Sequence, residues 1–157
     1  MRQVEMISLE DLVPKNHSYR DFFKLWSFKF VEKRLQKLEK SNPHKGYGLL
    51  RLFKCLLLQF MENLSDRELE RCIQENTAAR WFCGFNLMDN TPDHTVFCQT
   101  RKKIGTNFLS KIFSDLRDQL KSQGFMSEVF SFVDAAHLIT KANLWKERDK
   151  AIAEKYE

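Results

Sequence analysis

Long apolar runs, glycine and proline are all scarce in this chain of 157 residues. The densest apolar stretch, residues 49–61, is interrupted by Arg51, Lys54 and Gln59 and is shorter than the ~20 residues that a membrane span needs. Five glycines and three prolines leave little material for a turn-rich β-sandwich. The four cysteines form no CxxC pair, and no Gly-rich phosphate loop or GxSxG motif occurs. Zinc-binding, nucleotide-fold and hydrolase interpretations therefore lack support.

The remaining composition is that of a globular protein, with 43% hydrophobic and 30% charged residues. The length suits one domain, or one domain and the start of another. The N-terminus, MRQVEMISLEDL, carries acidic residues where a secretion signal has a long apolar run. We therefore expect a cytoplasmic protein whose cysteines stay reduced.

Basic residues are unevenly distributed along the chain. Residues 1–61 carry 12 Lys or Arg against six Asp or Glu, and residues 94–124 carry six against two. Between them, residues 62–93 carry three basic and seven acidic residues. Two basic blocks that flank an acidic one favour a polyanionic partner such as nucleic acid, although solvated basic faces also occur on proteins that bind none.

Helix signals dominate the first 124 residues. Ser8 is placed to cap a turn that Pro14 ends, and Ser65 with Glu68 forms a capping box. Residues 18–40 have helical spacing with a predicted break near Ser27, and residues 49–61 are apolar on nearly every face, which is typical of a central buried helix. Further helices are predicted over the following ranges: 65–76, 77–83, 92–104 and 106–123.

The helix over 92–104 is the strongest candidate for a nucleic-acid contact. Thr91 is a plausible N-cap, Pro92 suits the first helical position, and Gly105 suits the end. With the two helices before it, this segment has the size of a helix-turn-helix unit, whose second helix normally enters the DNA groove. Side chains competent for base or phosphate contacts are expected on it at the following positions: His94, Gln99, Arg101, Lys102 and Lys103. An ordinary bundle with a basic exposed helix is the alternative.

The character of the sequence changes after Gly124. The stretch EVFSFVDAAHLIT is rich in β-branched and aromatic residues, which predicts one or two strands beginning near Val129 and a domain boundary near residue 125. Asp134 falls on a strand that is expected to be buried, where a carboxylate is costly unless it is paired or binds a metal. One carboxylate does not make a metal site, and a strand-end Asp that caps the next turn is the simpler interpretation of this residue alone.

Four segments in this order and spacing resemble bacterial insertion-sequence transposases of the DDE type. The segments are LVPKNH (12–17), LFKCLLLQFMENLSDRELERCIQENTAARWFCGF (52–85), TPDHTVFCQTRKKIG (91–105) and FVDAAHLITKANLWKERDKA (132–151). The first three resemble the family's N-terminal helical domain. The fourth resembles the start of its ribonuclease-H-like catalytic domain.

The resemblance implies a mostly α fold: a helical bundle with a helix-turn-helix-like unit over 1–124, then the first strands of a truncated α/β ribonuclease-H-like domain over 125–157. It implies DNA transposition, with the helical domain binding the terminal inverted repeats of the element. It also implies that Asp134 is the first of the three acids that hold Mg²⁺ in a complete enzyme. The second Asp and the Glu have no counterpart here, so we expect a truncated or split chain that needs no cofactor of its own and does not cut DNA alone.

Two classes of function follow. The first is a DNA-binding part of a transposase. The second is a protein-interaction remnant that dimerises, or that pairs with an intact transposase and interferes with it. Neither requires a membrane.

Overall fold

The computed structural model of the chain describes residues 6–41 and 46–122. That part is mostly helical, as predicted, and contains eight helices. In chain order they are α1 (Leu9–Leu12), α2 (Ser18–Leu25), α3 (Lys29–Ser41), α4 (Leu49–Glu62), α5 (Asp66–Glu75), α6 (Thr77–Cys83), α7 (His94–Ile104) and α8 (Thr106–Ser122). The strands predicted near Val129, the domain boundary near residue 125 and Asp134 lie outside the described residues.

Both capping signals are confirmed. The Ser8 side chain caps α1 and forms a capping box with Asp11. At α5 the Glu68 N–H donates to the Ser65 hydroxyl oxygen at 3.2 Å, and the Ser65 N–H donates to the Glu68 carboxylate at 2.7 Å. Each pair satisfies backbone donors that the first turn of a helix leaves without a partner.

The predicted break near Ser27 separates α2 from α3. The Trp26 N–H donates to the Phe22 carbonyl at 3.0 Å and closes the last turn of α2. Trp26 is buried, and its ring centre lies 4.6 Å from that of Phe28. The break places Trp26 in the core and Phe28 against it.

Helix α4 is the centre of the bundle, as predicted from a sequence that is apolar on nearly every face. It contacts α3, α5, α6 and α7. Nine of its side chains are buried: Leu49, Leu52, Phe53, Cys55, Leu56, Leu57, Leu58, Gln59 and Phe60. Since burying one large apolar side chain stabilises a fold by ~1.5–3 kcal/mol, this helix supplies much of the driving force for folding.

Aromatic rings join α2 to α6 at one end of the bundle. Phe82 of α6 has its ring centre 5.0 Å from Tyr19, 5.8 Å from Phe22 and 5.1 Å from Phe23. Trp81 lies 5.2 Å from Phe23 in an edge-to-face arrangement. These rings are core residues, and their tilted contacts add to the energy of burial.

The beginning of α7 differs from the prediction. The helix starts at His94, and Asp93 is its N-cap, so the assignment of Thr91 as cap and Pro92 as first helical residue was wrong. The Asp93 carboxylate accepts from the N–H groups of Thr95 at 2.9 Å and Val96 at 3.2 Å, which a cap two residues earlier could not reach. Gly105 ends the helix as predicted, with a φ of 88° that favours glycine.

Candidate nucleic-acid interface

Helix α7 is attached to α5 by a buried ion pair. The Arg101 guanidinium donates to both carboxylate oxygens of Asp66, through Nη1 and Nη2, at 2.7 Å each. The Arg101 side chain is only 2% exposed, and that of Asp66 is 25% exposed. Two parallel N–H···O bonds fix the orientation of both partners as well as their separation.

A third side chain joins α4 to this ion pair. Gln59, which is buried in α4, donates from Nε2 to the Asp66 carboxylate at 2.7 Å. Asp66 therefore binds α4 and α7 at once, from the first residue of α5. The position of α7 in the bundle is set by a polar network as well as by apolar packing.

A second contact between α5 and α7 lies at the start of α7. The Glu70 carboxylate accepts from the His94 backbone N–H at 3.1 Å and lies 2.9 Å from His94 Nδ1. Two carboxylates of α5, those of Asp66 and Glu70, therefore bind α7.

The outer face of α7 carries the remaining predicted residues. Gln99 and Lys102 are exposed, and Lys103 is half-buried. The opposite face is buried through Phe97, Thr100, Arg101 and Ile104. The outer face thus carries the amide of Gln99 and the ammonium groups of Lys102 and Lys103, on a helix that is held by two polar contacts. The ammonium groups suit phosphate binding, and the amide suits contact with a base edge.

Arg101 was predicted to contact DNA, but its side chain lies on the inner face of α7. Its guanidinium is buried and bound to Asp66, so it positions α7 and does not form part of the exposed surface. His94 is partly exposed, and its Nδ1 faces Glu70. A DNA contact by His94 stays a prediction.

Helix α7 carries a negative charge at its N-terminus and positive charges in its last turn. The Thr95 hydroxyl and the N–H groups of Val96 and Thr95 hold the pKa of the Asp93 carboxyl below its ordinary value of 3.8. A negative group at the N-terminus and lysines in the last turn both interact favourably with the helix dipole. Lys102 and Lys103 therefore suit the end of a helix even without a ligand.

The described residues hold no group of three His, Cys, Asp or Glu side chains that could bind a metal ion. Asp134, the predicted Mg²⁺ ligand of a complete enzyme, lies outside them. Within the same part of the chain, none of the helices is both long enough and apolar enough to cross a membrane.

Comparison with protein-family models finds a match over most of the described helices. The model described as Transposase domain (DUF772) matches residues 7–103, which is more than half of the chain. The matched range covers α1 to α6 and nearly all of α7, including Gln99, Lys102 and the Asp66–Arg101 ion pair. The chain belongs to this transposase-domain family. No curated protein and no solved structure matches it.

Proposed function

We propose that this chain is the DNA-binding part of a DDE-type transposase of an insertion sequence and that it binds the terminal inverted repeats of the element. Membership of a transposase family supports a role in DNA transposition and recombination. The observation that carries the DNA-binding proposal is the outer face of α7, where Gln99 and Lys102 are exposed while the opposite face is anchored to α4 and α5.

Each of the three polar side chains on the outer face of α7 has a distinct role in the proposed complex. Lys102 and Lys103 bind phosphate oxygens and supply sequence-independent affinity. Gln99 has an amide that can pair with the N6 and N7 positions of adenine, so it is the candidate for sequence discrimination. In this proposal α5, α6 and α7 act as a helix-turn-helix-like unit with α7 in the major groove.

Strand cleavage is not proposed for this chain alone. Asp134 remains the predicted first acid of a Mg²⁺ site that needs two further carboxylates. Incubation of the purified chain with Mg²⁺ and a supercoiled plasmid that carries the repeats should leave the plasmid intact. Nicking that is abolished by Asp134→Asn would contradict this part of the proposal.

Fluorescence anisotropy tests the DNA-binding proposal directly. Two labelled duplexes are titrated with the chain over a series of salt concentrations, one with the inverted-repeat sequence and one with the same bases scrambled. We expect tighter binding to the repeat and a linear fall of log affinity with log salt. Absence of binding to either duplex at low salt would contradict the proposal.

A second candidate function is suggested by exposed apolar side chains. Phe30 is 55% exposed and Met88 is 93% exposed, so apolar side chains are present at the surface for a protein contact. In this alternative the chain forms a homodimer or pairs with an intact transposase. Mixing with full-length transposase, followed by size-exclusion chromatography, would then yield a hetero-oligomer, while free DNA would stay unshifted.

A further inference from the structure

A groove on the surface of the bundle lies beside the basic end of α7. Its lining consists of Arg34, Lys37 and Leu38 from α3, Ile104 from α7 and Phe108 from α8. Its volume is about 290 Å³. It therefore combines two cations with three apolar side chains in one small space.

The Arg34 guanidinium lies over the Phe108 ring at this groove, and we call these two side chains the Arg34–Phe108 platform. The guanidinium carbon of Arg34 lies 4.8 Å from the centre of the Phe108 ring and 5.9 Å from that of Phe30. The Arg34 side chain is exposed, and within residues 6–41 and 46–122 no carboxylate forms an ion pair with Arg34 or Lys37. Guanidinium planes and aromatic rings are the surfaces on which proteins stack unpaired nucleic-acid bases.

The groove lies at the C-terminal end of α7, the helix assigned to DNA above. Ile104, which lines it, directly follows Lys102 and Lys103 in α7. The proposed DNA surface and the groove therefore share the last turn of α7. The inference therefore rests on the proposed function, since it takes DNA to bind at α7.

Size and lining decide the kind of occupant. A volume of about 290 Å³ lies at the lower limit of small-ligand pockets, so it admits one nucleotide and not a duplex. A site for phosphate alone would need no apolar floor, whereas Leu38, Ile104 and Phe108 offer one to a base. We propose that the groove binds a single unpaired nucleotide of DNA, with its base against the Arg34–Phe108 platform and its phosphate at Lys37.

Four labelled DNAs test this inference by fluorescence anisotropy. They are the blunt repeat duplex, the same duplex with a four-thymidine single-stranded extension, the same duplex with an abasic extension of equal charge, and a free oligothymidine of 12 nucleotides. Since stacking of one base adds ~5–150-fold in affinity, we expect the thymidine extension to bind about tenfold tighter than the blunt duplex. The abasic extension should bind like the blunt duplex.

Three variants locate the effect in the groove. Arg34→Gln removes the guanidinium, and Phe108→Leu removes the ring but keeps an apolar side chain. Both should reduce the ratio of extended to blunt affinity to about one. Lys33→Gln is the matched control, because Lys33 is an exposed cation of the same helix that does not line the groove, and it should keep the tenfold ratio.

The outcomes separate this inference from the proposed function. Equal binding of blunt and extended duplexes would overturn the inference and leave duplex recognition intact. Equal binding of thymidine and abasic extensions, or an equal loss of the ratio in Arg34→Gln and Lys33→Gln, would also overturn it. Oligothymidine binding that depends on Arg34, without any duplex binding, would support the inference and contradict the proposed function.

Discussion

One face of α7 is buried and the other is exposed, although both carry cationic side chains. On the inner face, Arg101 is enclosed and bound by Asp66. On the outer face, Lys102 lies in water one residue further along the chain. The same type of charge therefore fixes the helix on one side and is available to a polyanion on the other, and burial decides between the two roles.

The largest loss of stability is expected when a buried side chain on the inner face of α7 is truncated. Phe97 is fully buried, so Phe97→Ala should lower the free energy of unfolding by ~4 kcal/mol through lost burial and the cavity that remains. Gln99→Ala, two residues away on the outer face, should change it by less than ~0.5 kcal/mol. Urea unfolding followed by tryptophan fluorescence measures both. Equal losses would remove the distinction between the two faces.

The ion pair is the next test of the inner face. Asp66→Ala leaves the Arg101 guanidinium buried without its carboxylate, which should cost ~3 kcal/mol, the lower end for buried pairs because Asp66 is a quarter exposed. Arg67→Ala, at the neighbouring exposed position of α5, is the matched control and should be nearly neutral.

A double variant shows whether Asp66→Ala lowers the free energy of unfolding because it leaves the buried Arg101 charge without a partner. Asp66→Ala combined with Arg101→Met removes both charges, so it should be more stable than Asp66→Ala alone. A double variant with the summed loss of the two single variants would show that the side chains act independently, against the network described here.

A smaller effect is expected at the cap of α7. Asn caps a helix about as well as Asp, so Asp93→Asn removes mainly the favourable interaction of the carboxylate with the helix N-terminus. The folded-state pKa of Asp93 is lowered from 3.8, so this stabilisation is present above pH 3.8 and is lost as the pH falls through the folded-state pKa. Urea midpoints of the two proteins should differ at pH 7, and the difference should shrink as the pH falls through that folded-state pKa. A difference that does not change with pH would contradict this assignment.

Much of the helical fold could be predicted because its signals are local. The Ser65–Glu68 capping box and the break near Ser27 depend on a few neighbouring residues, and the uniformly apolar run of α4 indicates burial without knowledge of its partners. The start of α7 was predicted wrongly because Thr91 and Asp93 are both good caps. The competition is decided by the two N–H groups that the Asp93 carboxylate reaches.

The candidate site was harder to predict than the fold, because Arg101 was assigned to DNA contact although its side chain is buried. Phe97, Arg101 and Ile104 follow the i, i+4, i+7 spacing of one helix face, so the sequence did contain a signal that Arg101 points inward. Its partner could not be found in this way, since the pairing with Asp66 joins residues 35 positions apart. The groove between Arg34 and Phe108 likewise depends on tertiary packing.

The central claim, that the outer face of α7 binds DNA, is tested most directly by the salt dependence of binding to the repeat duplex. The double variant Lys102→Gln with Lys103→Gln is compared with Lys15→Gln and Lys24→Gln, which removes two exposed lysines elsewhere. Since each phosphate contact contributes about 0.9 to the slope of log affinity against log salt, we expect the slope to fall by about 1.8 in the α7 variant and to stay unchanged in the control. Equal slopes for the two variants would contradict the claim.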